Sequence, residues 1–102
     1  MDDIAQNTKI MYIDNMFEVV MKKSVLKSVR KMPTQEQGRF QTLMNALRIS
    51  GPEQPAFKNY SKLGPNRYHC HLSYGWVACW ENENGTLKIE VYYAGSREKA
   101  PY

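Results

Sequence analysis

Apolar residues along this chain change their period twice, and the changes divide it into segments. Residues 16–21 read Met-Phe-Glu-Val-Val-Met, a short, apolar and partly β-branched run that predicts a strand. From residue 22 the period lengthens. Val25, Val29 and Met32 recur at i, i+4 and i+7 with Leu26 beside them, while Lys22, Lys23, Lys27, Arg30 and Lys31 fall off that stripe. A basic amphipathic helix follows from this pattern. Pro33 ends it, and Thr34 with Gln37 has the capping-box spacing that opens a second helix. Phe40, Leu43, Met44 and Leu47 make the buried stripe of that helix, and Ser50, Gly51 and Pro52 stop it.

Residues 53–66 contain Pro55, Gly64 and Pro65 and read as a connecting loop laid over the body. Strand-like runs then cover residues 67–73, 76–82 and 86–94. The order βααβββ predicts an α+β domain, a two-helix hairpin on a largely antiparallel four-stranded sheet. Residues 1–15 are polar and aperiodic, and are expected to form an N-terminal arm or an added edge segment ahead of one domain at residues 16–102.

Register decides which side chains share a face. A two-residue turn at Tyr74-Gly75 pairs Ser73 with Trp76, Leu72 with Val77, His71 with Ala78, Cys70 with Cys79 and His69 with Trp80. A three-residue loop at Glu83-Asn84-Gly85, with Gly85 left-handed, pairs Cys79 with Ile89 and Val77 with Val91. On this register both cysteines lie in the core. The other face collects His69, His71, Trp76, Trp80, Lys88, Glu90 and Tyr92.

Composition narrows the class. The chain has 102 residues, 42% of them hydrophobic, which suits one globular domain. No apolar run is long enough for a bilayer, and Asp2 and Asp3 do not fit the basic start of a secretion signal, so a cytoplasmic protein with no membrane association is expected. Two cysteines, Cys70 and Cys79, are too few for a disulfide scaffold and lack structural-zinc spacing. Net charge is +4, unevenly spread: residues 1–21 hold four acids against one lysine, leaving the remainder 13 basic and 6 acidic groups. A basic body favours a polyanion or an acidic protein as partner.

The histidine face carries the candidate chemistry. His69 and His71 point to one side of a strand, and imidazoles exchange protons near neutral pH. With no third histidine and the thiols turned away, the pair suits acid–base work without a metal or other cofactor better than metal ligation. Aromatic residues such as Trp76 can stack on unpaired bases and lysines can meet phosphates. After Gly95 the tail Ser96-Arg97-Glu98-Lys99-Ala100-Pro101-Tyr102 adds a guanidinium able to clamp phosphate and a terminal phenol able to stack or donate a proton.

Three segments carry a family resemblance: Arg67-Tyr68-His69-Cys70-His71-Leu72, Trp76-Val77-Ala78-Cys79-Trp80, and Val91-Tyr92-Tyr93-Ala94-Gly95-Ser96-Arg97. In these and in its element order the chain resembles the RelE/ParE superfamily of toxins from bacterial toxin–antitoxin modules. The resemblance implies a RelE-like fold and an mRNA interferase, a small endoribonuclease that cuts mRNA on the ribosome through the ribose 2′-hydroxyl and thereby inhibits translation. It also implies a cognate antitoxin that silences it in a hetero-oligomer. By position it makes His71 the general base, with His69 assisting or binding phosphate, Arg97 the charge stabiliser, and Tyr102 the orienting group or acid. Lys62, Lys88 and Lys99 would add electrostatics along the RNA backbone, and Trp76 a stacking surface. The chain departs from many RelE members in carrying Val77 where they have arginine. ParE-like relatives instead inhibit DNA gyrase by binding, and a non-catalytic RNA-binding module is the third reading.

Overall fold

The first strand, β1 (Glu18–Met21), and two helices, α1 (Lys23–Arg30) and α2 (Thr34–Ser50), form where the periodicity places them in a computed structural model that describes residues 16–102. The expected N-terminal arm lies outside the described residues. Val25 and Met32 of the first stripe are buried, Val29 is half-buried, and Leu26 faces outward. The second stripe, Phe40, Leu43, Met44 and Leu47, is buried throughout. One local expectation fails. No side chain caps α2, and the Gln37 amide turns back to donate to the carbonyls of Met32 at 2.9 Å and Arg30 at 3.2 Å. Those carbonyls close α1 and have no partner within it, so they compete successfully for the glutamine.

Gly51 ends α2 at φ 92° and ψ −167°, a conformation open essentially to glycine alone. A Cβ there would also sit 2.7 Å from the ring of Phe17, whose amide donates to the Arg48 carbonyl at 3.0 Å. Gly51→Ala is therefore expected to destabilise the protein by about 1–3 kcal/mol, read as a lower Tm in thermal denaturation.

Among the described residues the sheet has five strands rather than four, in the order β1-β5-β4-β3-β2, with β2 (Ser61–Gly64), β3 (Arg67–Ser73), β4 (Trp76–Asn82) and β5 (Lys88–Ser96). Only β1 and β5 run parallel. The additional strand, β2, lies within the segment expected to be a loop. Ser-Lys-Leu-Gly has no alternating pattern of its own, and the strand exists because β3 offers it a free edge at Ser61 opposite His69 and Lys62 opposite Tyr68.

Two bulges correct the expected register. Ser73 does face Trp76 across the Tyr74-Gly75 turn, but the next pairs are His71 with Val77, Cys70 with Ala78, His69 with Cys79 and Tyr68 with Trp80. Leu72 is the extra residue. On the other side Cys79 faces Tyr93 and Trp80 faces Val91, with Tyr92 extra. Gly85 is left-handed as expected, at φ 73°, yet the pairing beyond it does not begin until Asn82 meets Ile89, so the connection is longer than three residues. A bulge turns a strand over relative to its partner. The faces expected for β3 and β5 are found, and β4 is inverted between them. The expected pairs Cys70 with Cys79, His71 with Ala78 and His69 with Trp80 are absent, and the two thiols lie on opposite sides of the sheet.

Among the described residues, helices cover one face only. There Val25, Met32, Phe40, Leu43, Met44 and Leu47 pack on Tyr68, Cys70, Leu72, Ala78, Trp80, Ile89, Val91 and Ala94. Trp80, expected on the open face, is 0% exposed in this core. Its ring stacks with Tyr60 and Tyr68 at centroid distances of 6.3 and 6.1 Å, and its indole N–H donates to the Pro52 carbonyl at 2.9 Å. Burying the largest side chain with its one polar atom satisfied is what makes the inverted β4 the stable arrangement.

Candidate active site

Alternation along β3 sets His69 and His71 side by side on the helix-free face, with ring centroids 5.8 Å apart. The unexpected strand β2 brings the Ser61 hydroxyl to 3.0 Å from Nδ1 of His69. With serine donating, the imidazole keeps its proton on Nε2; with serine accepting, on Nδ1. The Tyr102 ring closes over His69 at a centroid distance of 4.5 Å. His71 is half-buried and its Nδ1 is buried without a hydrogen-bond partner. Its backbone amide donates to the Lys58 carbonyl at 2.8 Å, which anchors the end of the long connection beside it.

Two backbone contacts steer the tail onto this face. Tyr93 donates its hydroxyl proton to the Ser96 carbonyl at 2.6 Å, and the Arg97 amide donates to the Gly75 carbonyl at 2.8 Å. Arg97–Lys99 then forms a single 3-10 turn. The Arg97 guanidinium lies over the exposed Tyr74 ring, 5.0 Å from its centroid, and is itself exposed.

The groups at this face are biased toward their neutral forms. Burial lowers the His69 pKa below 6.5, opposed by hydrogen bonding at Ser61. Burial lowers that of His71 as well, helped by the charges of His69, Arg97 and Lys58 and opposed only by the Ser73 backbone. Burial raises the Tyr102 phenol, which Arg97 partly offsets, so near neutral pH the phenol still holds its proton. Cys79, fully buried between His69 and Tyr93 on this side of the sheet, is pushed up to about 12 and is no nucleophile.

The depressed imidazoles have a consequence for stability. Below the free value of 6.5 the unfolded chain takes up protons that the folded chain refuses, so acid favours unfolding. This contribution is complete above about pH 6.5 and is lost as pH falls through the folded-state values. Titration of both imidazoles by NMR, with urea unfolding across the same range, should show midpoints below 6.5 and a parallel decline in stability.

His69 thus meets both His71 and Tyr102, with Arg97 close enough to depress His71. The other expected residues lie elsewhere. Lys62 sits on the helix side of the edge strand, 5.6 Å above the Tyr68 ring. Lys88 is on the histidine face but at its far end with Glu81, Glu83 and Glu90, about 17 Å along β5 from Tyr93. Trp76 is on the helix face rather than beside the histidines, because β4 is inverted, and it lines a groove with Lys99, Lys31 and Ser28. Lys58, Ser61 and Arg39 were not expected at the site. Arg39 reaches it from α2 through a 2.8 Å hydrogen bond to the Leu72 carbonyl, an acceptor that the bulge leaves at the edge of β3.

Among the described residues, no three His, Cys, Asp or Glu side chains come together as a metal site. No described helix is long and apolar enough to cross a membrane. No protein-family model matches the chain, and no curated protein matches its sequence. Solved structures do match. The isolated RelE toxin of E. coli superposes with a TM-score of 0.63 at 19% identity, over 83% of this chain and 88% of that one. A chain of the archaeal RelE–RelB complex from Pyrococcus horikoshii OT3 gives 0.66 at 16% identity, over 83% and 99%. The YoeB/ParE toxin from Agrobacterium tumefaciens gives 0.65 at 7% identity, over 79% and 99%. Two helices on one face of a mostly antiparallel sheet, with the other face left to a histidine pair and a returning tail, are therefore built on the fold of the RelE/ParE toxins.

Proposed function

We propose that the protein is the toxin of a toxin–antitoxin pair and acts in the cytoplasm as an endoribonuclease on mRNA, with the ribosome presenting the substrate. The observation that carries this reading is a pair of imidazoles 5.8 Å apart, both biased toward the neutral form, with a phenol over His69 and a guanidinium near His71. The resemblance of the fold to RelE supports it, as does the occurrence of a matched chain in a complex of RelE with RelB. By the same analogy, the partner is an antitoxin.

The residues present suit transesterification. His71 takes the proton of a ribose 2′-hydroxyl, whose oxygen attacks the adjacent phosphorus. Arg97 binds the oxygens on which negative charge accumulates. Tyr102 gives its proton to the departing 5′-oxygen, leaving a 2′,3′-cyclic phosphate on one fragment and a 5′-hydroxyl on the other. His69, held by Ser61 and covered by Tyr102, positions the phenol and contacts phosphate. Because base and acid both begin neutral, the cycle needs no imidazolium at the start.

The test is induced expression followed by mapping of mRNA 5′ ends, with wild type compared to His71→Gln. New 5′-hydroxyl ends in wild type alone are expected. Growth arrest without new ends would overturn the nuclease and leave inhibition by binding, with defects in DNA supercoiling pointing to gyrase.

A further inference from the structure

Beside the histidine pair, and sharing His71 with it, lies a cleft of about 400 Å³ lined by Arg39, Thr42, Phe57, Lys58, His71 and Leu72. Its walls come from three elements: the middle of α2, the end of the long connection, and the part of β3 that runs past the end of its pairing with β2. Three hydrogen bonds fasten them together. The Arg39 guanidinium donates to Leu72, the His71 amide to Lys58, and the Phe57 amide to Gln54 at 3.0 Å. Gln54 is itself buried and donates to the carbonyls of Gly51 and Ala46. The cleft is therefore held in shape by the His71 and Phe57 amides, by the buried Gln54 side chain and by one N–H of Arg39.

What the cleft offers is specific. Arg39 spends one N–H on the Leu72 carbonyl and is otherwise exposed, so it keeps donors for an anion. Lys58 adds a second exposed cation. Phe57 is half-buried against the core cluster and supplies a fixed aromatic wall. No Asp or Glu is among the described residues that line the cleft. Two cations around an aromatic surface match a nucleotide, its base on the ring and its phosphate between the charges. His71 belongs to both the cleft and the catalytic pair, so an occupant of one is next to the reacting phosphate of the other.

We propose that this cleft binds the nucleotide adjoining the cleaved bond, with the base against Phe57 and the phosphate between Arg39 and Lys58. The assignment rests on the ribonuclease reading and adds a specificity subsite to it. It separates two tasks: chemistry on the helix-free face, and selection of a neighbouring base at the sheet edge.

The experiment measures cleavage of a short RNA, free and programmed on ribosomes, by wild type, Phe57→Leu and Arg39→Gln. Leucine keeps the apolar contact with the core but removes the aromatic face, and each variant's fold is checked by circular dichroism. Phe57→Leu is expected to lower kcat/KM by about 5- to 100-fold, the range for losing one base stack. An abasic substitution at one nucleotide beside the cut should cost wild type a similar factor and cost Phe57→Leu almost nothing more. Arg39→Gln should weaken cleavage and make it less salt-dependent. Wild-type rates in both folded variants, or an abasic penalty as large in Phe57→Leu as in wild type, would overturn the subsite while leaving the nuclease intact. Absence of cleavage by wild type in both formats would instead overturn the ribonuclease reading, and the subsite with it.

Discussion

Replacement of His71 by glutamine is expected to lower RNA cleavage by about 10²–10⁴-fold, the usual loss on removing a general base. Glutamine is close to imidazole in length and keeps a polar end, but it cannot take a proton. Folding should survive, since His71 is half-buried and its Nδ1 has no hydrogen-bond partner to lose. Single-turnover cleavage across pH distinguishes the roles of the two imidazoles. In wild type the acid limb should lie below pH 6.5, because burial and the nearby charges of His69, Arg97 and Lys58 hold His71 neutral further into acid. In His71→Gln the residual rate should lose that limb. If the limb stayed and only the amplitude fell, the proton would be passing to His69, and the assigned roles would have to be exchanged.

Arg97→Ala is expected to reduce the rate of the chemical step by about 10²–10³-fold, in line with removal of one preorganised donor to a developing anion. The expectation is sharpened by position 77. Many RelE members carry arginine at the corresponding position, whereas Val77 is 0% exposed, opposite His71 on one side and Gly95 on the other. An arginine could not replace it without burying charge or displacing the tail, so the guanidinium approaches from the C-terminal segment. Arg97→Lys serves as the companion variant: it restores charge but not the planar fork, and should recover only part of the rate. A rate equal to wild type in Arg97→Ala would remove Arg97 from the mechanism and leave Lys58 and Arg39 as the cations near the phosphate.

The periodic segments were legible in the sequence. The stripes Val25 to Met32 and Phe40 to Leu47 each pointed one way at helical spacing, and both helices appear with those residues inward. Histidines two apart on a strand must share a face, so the pairing of His69 with His71 needed only the strand itself. Strand β5 was equally clear, because Ile89 and Val91 alternate with Lys88, Glu90 and Tyr92 and only one assignment buries the aliphatic pair.

Strand β4 was opaque because Trp-Val-Ala-Cys-Trp is apolar at every position, and alternation cannot choose a face when both candidates are apolar. Its orientation follows from a bulge at Leu72, which goes with two tertiary contacts: Trp80 buried in the core against the helices, and Arg39 on the Leu72 carbonyl. Strand β2 was invisible for a related reason, since an edge strand of four residues is held by its neighbour's hydrogen bonds and not by its own side chains.

By itself, then, the chain's sequence determined the helices, the histidine face and the chemistry that its residue types allow, since each depends on local spacing. Only tertiary structure decided which groups gather around that face. Ser61 on His69, Lys58 and Arg39 beside His71, and the inward turn of Trp80 all depend on pairings between distant segments. Such pairings are chosen by the summed burial and hydrogen bonding of the whole core, a quantity that no short stretch of sequence contains.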